Sequence, residues 1–121
     1  GVKCAVVTSS NVQKMLNVYE RHPEFKAYFD RVLTSEDFAE SKPHPDCYLK
    51  GAAYFGVEPE DCVGLEDSFN GLKAVRASGA FTLGLATTNS REAIQPLSDY
   101  VIDDYRGFGF ADLQRIVENA K

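Results

Sequence analysis

Short apolar runs alternate with segments of helical periodicity along this chain of 121 residues. The apolar runs show little alternation between apolar and polar positions, which indicates strands buried on both faces. They cover residues 2–7, 31–34, 62–66, 81–86 and 100–102. Strands separated by helices form a parallel sheet with helices on both faces, so we expect an α/β, Rossmann-like, doubly wound fold.

Capping and turn residues mark where the predicted helices begin and end. Ser9 and Ser10 are expected to cap a helix over 11–21, and Pro45 lies near the start of a helix that Gly56 ends. Further helices are predicted over 69–78, ending at Gly79, and over 111–120, with short helical segments at 23–29 and 91–97. The inner faces of the first two helices are predicted to carry Val12, Met15, Leu16 and Tyr19, and Tyr48, Leu49, Ala52, Ala53 and Phe55.

Composition excludes several classes of protein. The net charge is −5, and 13 scattered Lys and Arg residues are outnumbered by 18 acids, which argues against a nucleic-acid partner. The sequence contains neither an apolar stretch long enough to span a membrane nor a signal-peptide pattern, so no membrane partner is expected. Cys4, Cys47 and Cys62 lack CxxC spacing and are predicted to be reduced core thiols of a cytoplasmic protein.

Hydroxyl and carboxyl side chains follow the predicted strands. In open parallel sheets, ligands bind outside the carboxyl ends of the strands. The residues at these positions are Thr8, Ser9, Ser35, Glu36, Glu66, Asp67, Thr87, Asp103 and Asp104. Thr8 and Ser9 lie where a strand meets a helix N-terminus, so their hydroxyls and the free backbone N–H groups suit a phosphate, although simple N-capping is an equal alternative.

Glu66 and Asp67 are adjacent acids at the end of a predicted strand. Two like charges about 4 Å apart cost on the order of 4 kcal/mol at an effective dielectric constant near 20, so a cation should lie nearby. Lys42, in the sequence Lys-Pro-His-Pro-Asp ahead of a proline-initiated helix, has restricted backbone freedom and could present a fixed ammonium to the same edge.

Three motifs together resemble those of the haloacid dehalogenase superfamily: "VVTSS", "SKPHPD" and "GLEDSFNG". The Glu-Asp-Ser form is most similar to the β-phosphoglucomutase-like phosphatases and phosphomutases. The resemblance implies Mg²⁺ held by Asp67, with Glu66 close by or also a ligand. It also implies that Thr8 hydrogen-bonds the phosphoryl group and that Lys42 neutralises the charge of that group and of the attacking carboxylate, with Lys42 and Thr8 in catalytic roles. Ser9 remains a phosphate-binding candidate from its place at the helix N-terminus.

The sequence departs from that family in one respect. The family carries its aspartate nucleophile in an Asp-x-Asp motif on an earlier strand, and this sequence has no Asp-x-Asp. The resemblance implies that residues 1–121 are the C-terminal portion of a core domain, without the cap domain and without the central strand between the strands at 2–7 and 62–66. That interruption would leave about five backbone groups unpaired, at about 1–3 kcal/mol each. We expect the N-terminal part of the same protein, a second copy of the chain, or a rearranged sheet to fill the gap.

The function predicted from the sequence is therefore part of an enzyme. We expect a fragment of a Mg²⁺-dependent phosphatase or phosphomutase that acts on a small phosphorylated metabolite, with a sugar phosphate favoured, through an aspartyl-phosphate. The chain alone is expected to be inactive, so a non-catalytic phosphate- or metal-binding module is the alternative. A receiver-like signalling domain fits less well, because the order of Thr, Lys and acid pair differs from the one it requires.

Overall fold

The computed structural model describes residues 3–120, and its strands in that range lie in two separate parallel sheets. In the first sheet β1 (Ala5–Val7) pairs with β2 (Arg31–Leu33), with Val7 opposite Leu33. In the second sheet β4 (Phe81–Leu85) lies between β3 (Val63–Glu66) and β5 (Tyr100–Ile102). Parallel strands alternating with helices confirm the predicted α/β class.

The sheet is interrupted between β1 and β3. Over residues 3–120, no backbone pairing joins these two strands, and each is the edge of its own sheet. The predicted gap lies at this place in the strand order. The first strand is shorter than predicted, because it begins at Ala5; residue 2 of the predicted run lies outside the described residues.

The helices follow the predicted sequence of elements. They are α1 (Val12–Arg21), α2 (Asp46–Phe55), α3 (Phe69–Ser78), α4 (Arg91–Ile94) and α5 (Phe110–Ala120), with 3₁₀ turns at Phe25–Tyr28, Ser35–Asp37, Pro59–Asp61 and Gln95–Leu97. Gly56 and Gly79 end α2 and α3 with φ of 68° and 92°, a left-handed conformation that glycine adopts without steric cost.

The predicted caps of α1 were wrong by one or two residues. The side chain of Asn11, rather than Ser9 or Ser10, caps this helix by accepting a hydrogen bond from the Lys14 N–H at 2.8 Å. The reason lies in the preceding turn. The Ser10 carbonyl accepts a bond from the Ser35 N–H at 3.0 Å, which ties residue 10 to the loop after β2 before the helix begins.

The core lies between α3 and the three-stranded sheet. Leu72 and Ile94 are fully buried there, and Val101 joins them. In β4 the residues from Thr82 to Leu85 are all buried, so both faces of this central strand are covered.

The predicted inner faces of the first two helices were partly wrong. Met15 is buried, but Val12 and Leu16 are about half exposed. The buried face of α2 consists of Cys47, Gly51 and Ala52 instead of Leu49 and Ala53. This face is centred on Gly51, where a β-carbon would lie at an ordinary 3.8 Å from the Val7 and Leu33 side chains of the first sheet.

The cysteines differ in burial, and all three are unpaired. Cys47 is buried as predicted and Cys62 is half-buried, but Cys4 is exposed because it precedes the first residue of β1. None of the helices within residues 3–120 has the length and apolar content needed to cross a membrane.

Candidate active site

Lys42 spans the interruption between the two sheets. Its ammonium donates a hydrogen bond to the Val7 carbonyl at the end of β1 at 3.2 Å, and Nζ lies 2.5 Å from Glu66 Oε2 at the end of β3. The side chains of Lys42 and Glu66 are only 14% and 10% exposed. This partly buried ion pair therefore joins the carboxyl ends of the two strands that flank the gap.

Tyr48 is the third member of this cluster. It lies in the first turn of α2, its hydroxyl donates a hydrogen bond to the same Glu66 Oε2, and its ring centroid is 5.4 Å from Lys42 Nζ. Burial raises the pKa of Tyr48, and the negative charge of Glu66 raises it further, so the phenol stays protonated and acts as a donor. From its place in the sequence, Tyr48 was expected only on the inner face of α2.

Glu66 is also held by the start of α3. Its carboxylate lies against Gly71, in space that a β-carbon would fill. Ser68 caps this helix by accepting a hydrogen bond from the Gly71 N–H at 3.0 Å. The carboxylate therefore lies at the positive end of the α3 dipole.

Asp67 has a different set of contacts from Glu66. Its Oδ2 accepts a hydrogen bond from the Thr88 hydroxyl at 2.5 Å, and its backbone carbonyl accepts one from the Asn89 side-chain amide at 3.2 Å. Thr88 and Asn89 follow β4. Thr87 was the only residue of this loop that the sequence analysis considered, although "TTNS" at the carboxyl end of a strand was a usable signal.

Thr8 and Ser9 lie next to the Lys42 cluster. Thr8 directly follows Val7, whose carbonyl binds Lys42, and the Thr8 hydroxyl accepts a hydrogen bond from the Ser10 N–H at 3.1 Å. Ser9 is exposed and, with Ser35, Phe38 and Lys42, lines a cavity of about 220 Å³. Hydroxyls and the ammonium thus meet at one rim.

The other acids at this edge have structural partners. Glu36 Oε2 accepts hydrogen bonds from the Val12 N–H and the Thr34 hydroxyl, both at 3.0 Å, so it supports the start of α1. Asp103 is paired with Arg91 at 3.0 Å in an exposed ion pair, and Asp104 with Arg106 at 3.1 Å. Exposed pairs of this kind contribute little to stability.

The side chains at this edge determine whether the implied Mg²⁺ could bind here. Within the described part of the chain, His, Cys, Asp and Glu side chains form no group of three or more that could hold a metal ion. Asp67 is a half-buried carboxylate with the hard oxygen chemistry that Mg²⁺ prefers, whereas the Glu66 carboxylate is engaged by Lys42 and Tyr48. The residues present therefore fit Mg²⁺ in chemistry, and Asp67 would supply a part of its ligand set.

Comparisons with known proteins show which proteins this chain resembles in sequence and in fold. Over 67 residues the chain is 40% identical to hexitol phosphatase B of Escherichia coli K12, covering 55% of this chain and 28% of that protein. It is 33% identical over 85 residues to β-phosphoglucomutase of Bacillus subtilis, covering 69% and 36%. The crystal structure of β-phosphoglucomutase from Clostridium difficile superposes with a TM-score of 0.81 at 23% identity, over 98% of this chain and 50% of that one.

The chain thus spans about a third of the curated relatives and half of the solved structure. The family model of the haloacid dehalogenase-like hydrolases matches residues 1–79, which include β1, the Lys42 loop and the acid pair. With its two parallel sheets and with Lys42 beside the acid pair, the chain belongs to the haloacid dehalogenase-like hydrolases and is a β-phosphoglucomutase-like member of them.

Proposed function

We propose that this chain supplies the phosphate-binding half of the active site of a Mg²⁺-dependent phosphatase or phosphomutase. The observation that carries the proposal is the Lys42 ammonium, which contacts both Val7 at the end of β1 and Glu66 at the end of β3. Thr8 directly follows Val7, and Asp67 directly follows Glu66, so both residues flank this contact in the sequence. A phosphoryl group needs such a hydroxyl donor and a fixed cation around its oxygens.

Each site residue has a distinct task in this proposal. Thr8 and Ser9 donate hydrogen bonds to phosphoryl oxygens, and Lys42 neutralises their charge. Asp67 is the residue that would hold Mg²⁺, and Glu66 lies beside it. When bound, Mg²⁺ would supply further positive charge to the phosphoryl oxygens.

The proposed substrate class follows from the phosphate-binding chemistry of the site and from the names of two relatives. Hexitol phosphatase B and β-phosphoglucomutase are named for phosphorylated polyols and sugars. We propose a small phosphorylated metabolite, with a sugar phosphate favoured, and an aspartyl-phosphate intermediate. Free thiols and phosphorylated metabolites are both typical of a reducing compartment, so we propose a cytoplasmic location.

The interrupted sheet supports a second element of the proposal. β1 and β3 present backbone groups that no strand in residues 3–120 pairs with across the gap. We propose that a strand from an N-terminal part of the same protein, or from a second copy of the chain, pairs with both edges. In the first case that strand would bring the aspartate nucleophile to the rim beside Thr8, Lys42 and Asp67.

The test compares phosphate release from a panel of sugar phosphates with Mg²⁺, for this chain alone and for any longer form that carries an Asp-x-Asp strand. We expect turnover only in the longer form, and Lys42→Met should lower it by about a hundredfold or more, because the charge of the phosphoryl group loses its cation. Lys50→Met is the matched control, since Lys50 is exposed on α2. Turnover that survives Lys42→Met would contradict the proposal.

The second candidate function is a phosphate- or metal-binding module without catalysis. It is favoured by the sequence itself, which has no Asp-x-Asp. Amide chemical shifts of Thr8 and Ser9 that respond to inorganic phosphate, together with no turnover in any longer form, would support this alternative over the enzyme.

A further inference from the structure

Glu66 Oε2 is shared by two donors that both come from the segment around the start of α2. One is the Lys42 ammonium at 2.5 Å, and the other is the Tyr48 hydroxyl. The carboxylate also lies against Gly71 at the start of α3. The Glu66 carboxylate is therefore in contact with the Lys42 ammonium, the Tyr48 hydroxyl and the backbone of Gly71.

We propose that Tyr48 is a positioning residue whose hydroxyl fixes Glu66 and thereby holds the Lys42 ammonium across the ends of β1 and β3. The inference rests on the proposed role of Lys42 as the cation that binds phosphate. It adds to that role a residue that touches neither phosphate nor metal.

The three side chains of this cluster differ in flexibility. The terminal torsion of a glutamate is broad, and the lysine side chain is a flexible four-carbon stem, so neither partner of this pair fixes the other. Tyrosine has only two side-chain torsions and places its hydroxyl at the end of a rigid ring. Tyr48 is half-buried on a helix, which makes it the stiffest of the three side chains.

The Lys42 ammonium has one donor more than its two described partners use. An ammonium has three N–H donors. The Val7 carbonyl and Glu66 take two of them in the structure, which leaves a third for an anion at the rim. A Glu66 carboxylate that moved would take the ammonium with it and misdirect this third donor.

Tyr48→Phe isolates the hydroxyl. It keeps the ring, and with it the contact to Lys42 Nζ 5.4 Å from the ring centroid, and it removes only the hydrogen bond to Glu66. Tyr54→Phe is the matched control. Tyr54 lies on the same helix but is 54% exposed, and its described contacts, with Arg31 and Phe55, use the ring.

The experiment uses the whole chain labelled with ¹⁵N-lysine. A lysine ammonium held by hydrogen bonds exchanges slowly enough to give a sharp NMR signal, and the loss of that signal in Lys42→Arg assigns it. We expect Tyr48→Phe to broaden or abolish the Lys42 signal and Tyr54→Phe to leave it unchanged. In a titration with inorganic phosphate, Tyr48→Phe should weaken binding by about threefold to tenfold, the effect of one hydrogen bond.

The outcomes separate this inference from the proposed function. It is overturned if the native chain shows no sharp Lys42 signal, or if that signal survives in Tyr48→Phe. It is also overturned if the signal is lost while phosphate affinity is unchanged, because the hydroxyl would then support only the local fold. A native chain that shows the Tyr48-dependent signal but binds no phosphate supports the positioning of Lys42 and contradicts its proposed ligand.

Discussion

The carboxylate of Glu66 occupies the space in which any residue other than glycine at position 71 would carry its β-carbon. Gly71 thus allows α3 to begin close against the acid that holds Lys42. The contact links a helix start to the geometry of the candidate site.

We expect Gly71→Ala to lower the free energy of unfolding by about 1–3 kcal/mol, because the added methyl group must displace a partly buried, ion-paired carboxylate. Urea denaturation measures the change. Gly51→Ala on α2 is the matched control: its β-carbon would lie at an ordinary 3.8 Å from the Leu33 and Val7 side chains. There the helix preference for alanine should stabilise the fold by about 0.5–1 kcal/mol. Equal effects of the two substitutions would contradict the placement of Glu66.

The start of α1 gives a second prediction. Asn11→Ala should destabilise the protein by about 1 kcal/mol, because the Lys14 N–H loses its side-chain acceptor. Thermal or urea unfolding checks this value, with Ser10→Ala as a control near zero. A larger loss of stability in Ser10→Ala than in Asn11→Ala would show that Ser10 caps the helix, as the sequence predicted.

The Thr88 hydroxyl gives a third prediction, since it holds one carboxylate oxygen of Asp67 at 2.5 Å. Outer partners of a metal-binding carboxylate typically affect metal affinity by about tenfold or more, so Thr88→Val should weaken binding of Mn²⁺, used as a paramagnetic substitute for Mg²⁺. Broadening of amide signals near Asp67 measures the affinity. Thr88→Ser keeps the hydroxyl and should behave as the native chain does. Identical Mn²⁺ titrations of Thr88→Val and the native chain would show that Thr88 does not act on Asp67.

Acid should loosen the start of α5. The hydrogen bond from the Gly109 N–H, at 2.8 Å, and the Arg115 guanidinium lower the pKa of Asp112. A lowered pKa means that this carboxylate contributes stability above its unfolded pKa of about 3.9, and that the contribution is lost as the pH falls through the lower folded value. The Gly109 amide shift should therefore titrate with a midpoint below about 3.9, the unfolded value.

Two variants check the assignment of that midpoint. Asp112→Asn should remove the titration of the Gly109 amide, and Arg115→Gln should move its midpoint upward. A native midpoint at or above the unfolded value would mean that the carboxylate is not held in this way in solution.

Local chemistry explains which features could be predicted from the sequence. Apolar runs predict buried strands, and the helix ends at Gly56 and Gly79 follow from the left-handed backbone that those positions adopt. The expected repulsion between Glu66 and Asp67 called for a cation, and the structure places Lys42 Nζ 2.5 Å from Glu66. These inferences depend on neighbours in sequence or on charge alone.

The remaining features depend on three-dimensional contacts that no local pattern encodes. The hydroxyl of Tyr48 meets Glu66 only because α2 packs against β1 and α3, and Thr88 reaches Asp67 from the loop after β4. Periodicity also failed to identify the buried side of α2, because its central residue, Gly51, has no apolar side chain to mark it.

Because the two sheets are separate, they should differ in how readily they unfold locally. The sheet of β3, β4 and β5 packs against the fully buried Leu72 of α3 and contains the fully buried Leu83, whereas every residue of β1 is only half-buried. Backbone amides of β1 and β2 should therefore exchange with deuterium sooner, as a separate cooperative unit. Lys42 contacts both units, through Val7 of β1 and Glu66 of β3. An anion bound at Lys42 should therefore stabilise the less stable sheet of β1 and β2 and slow the deuterium exchange of its amides.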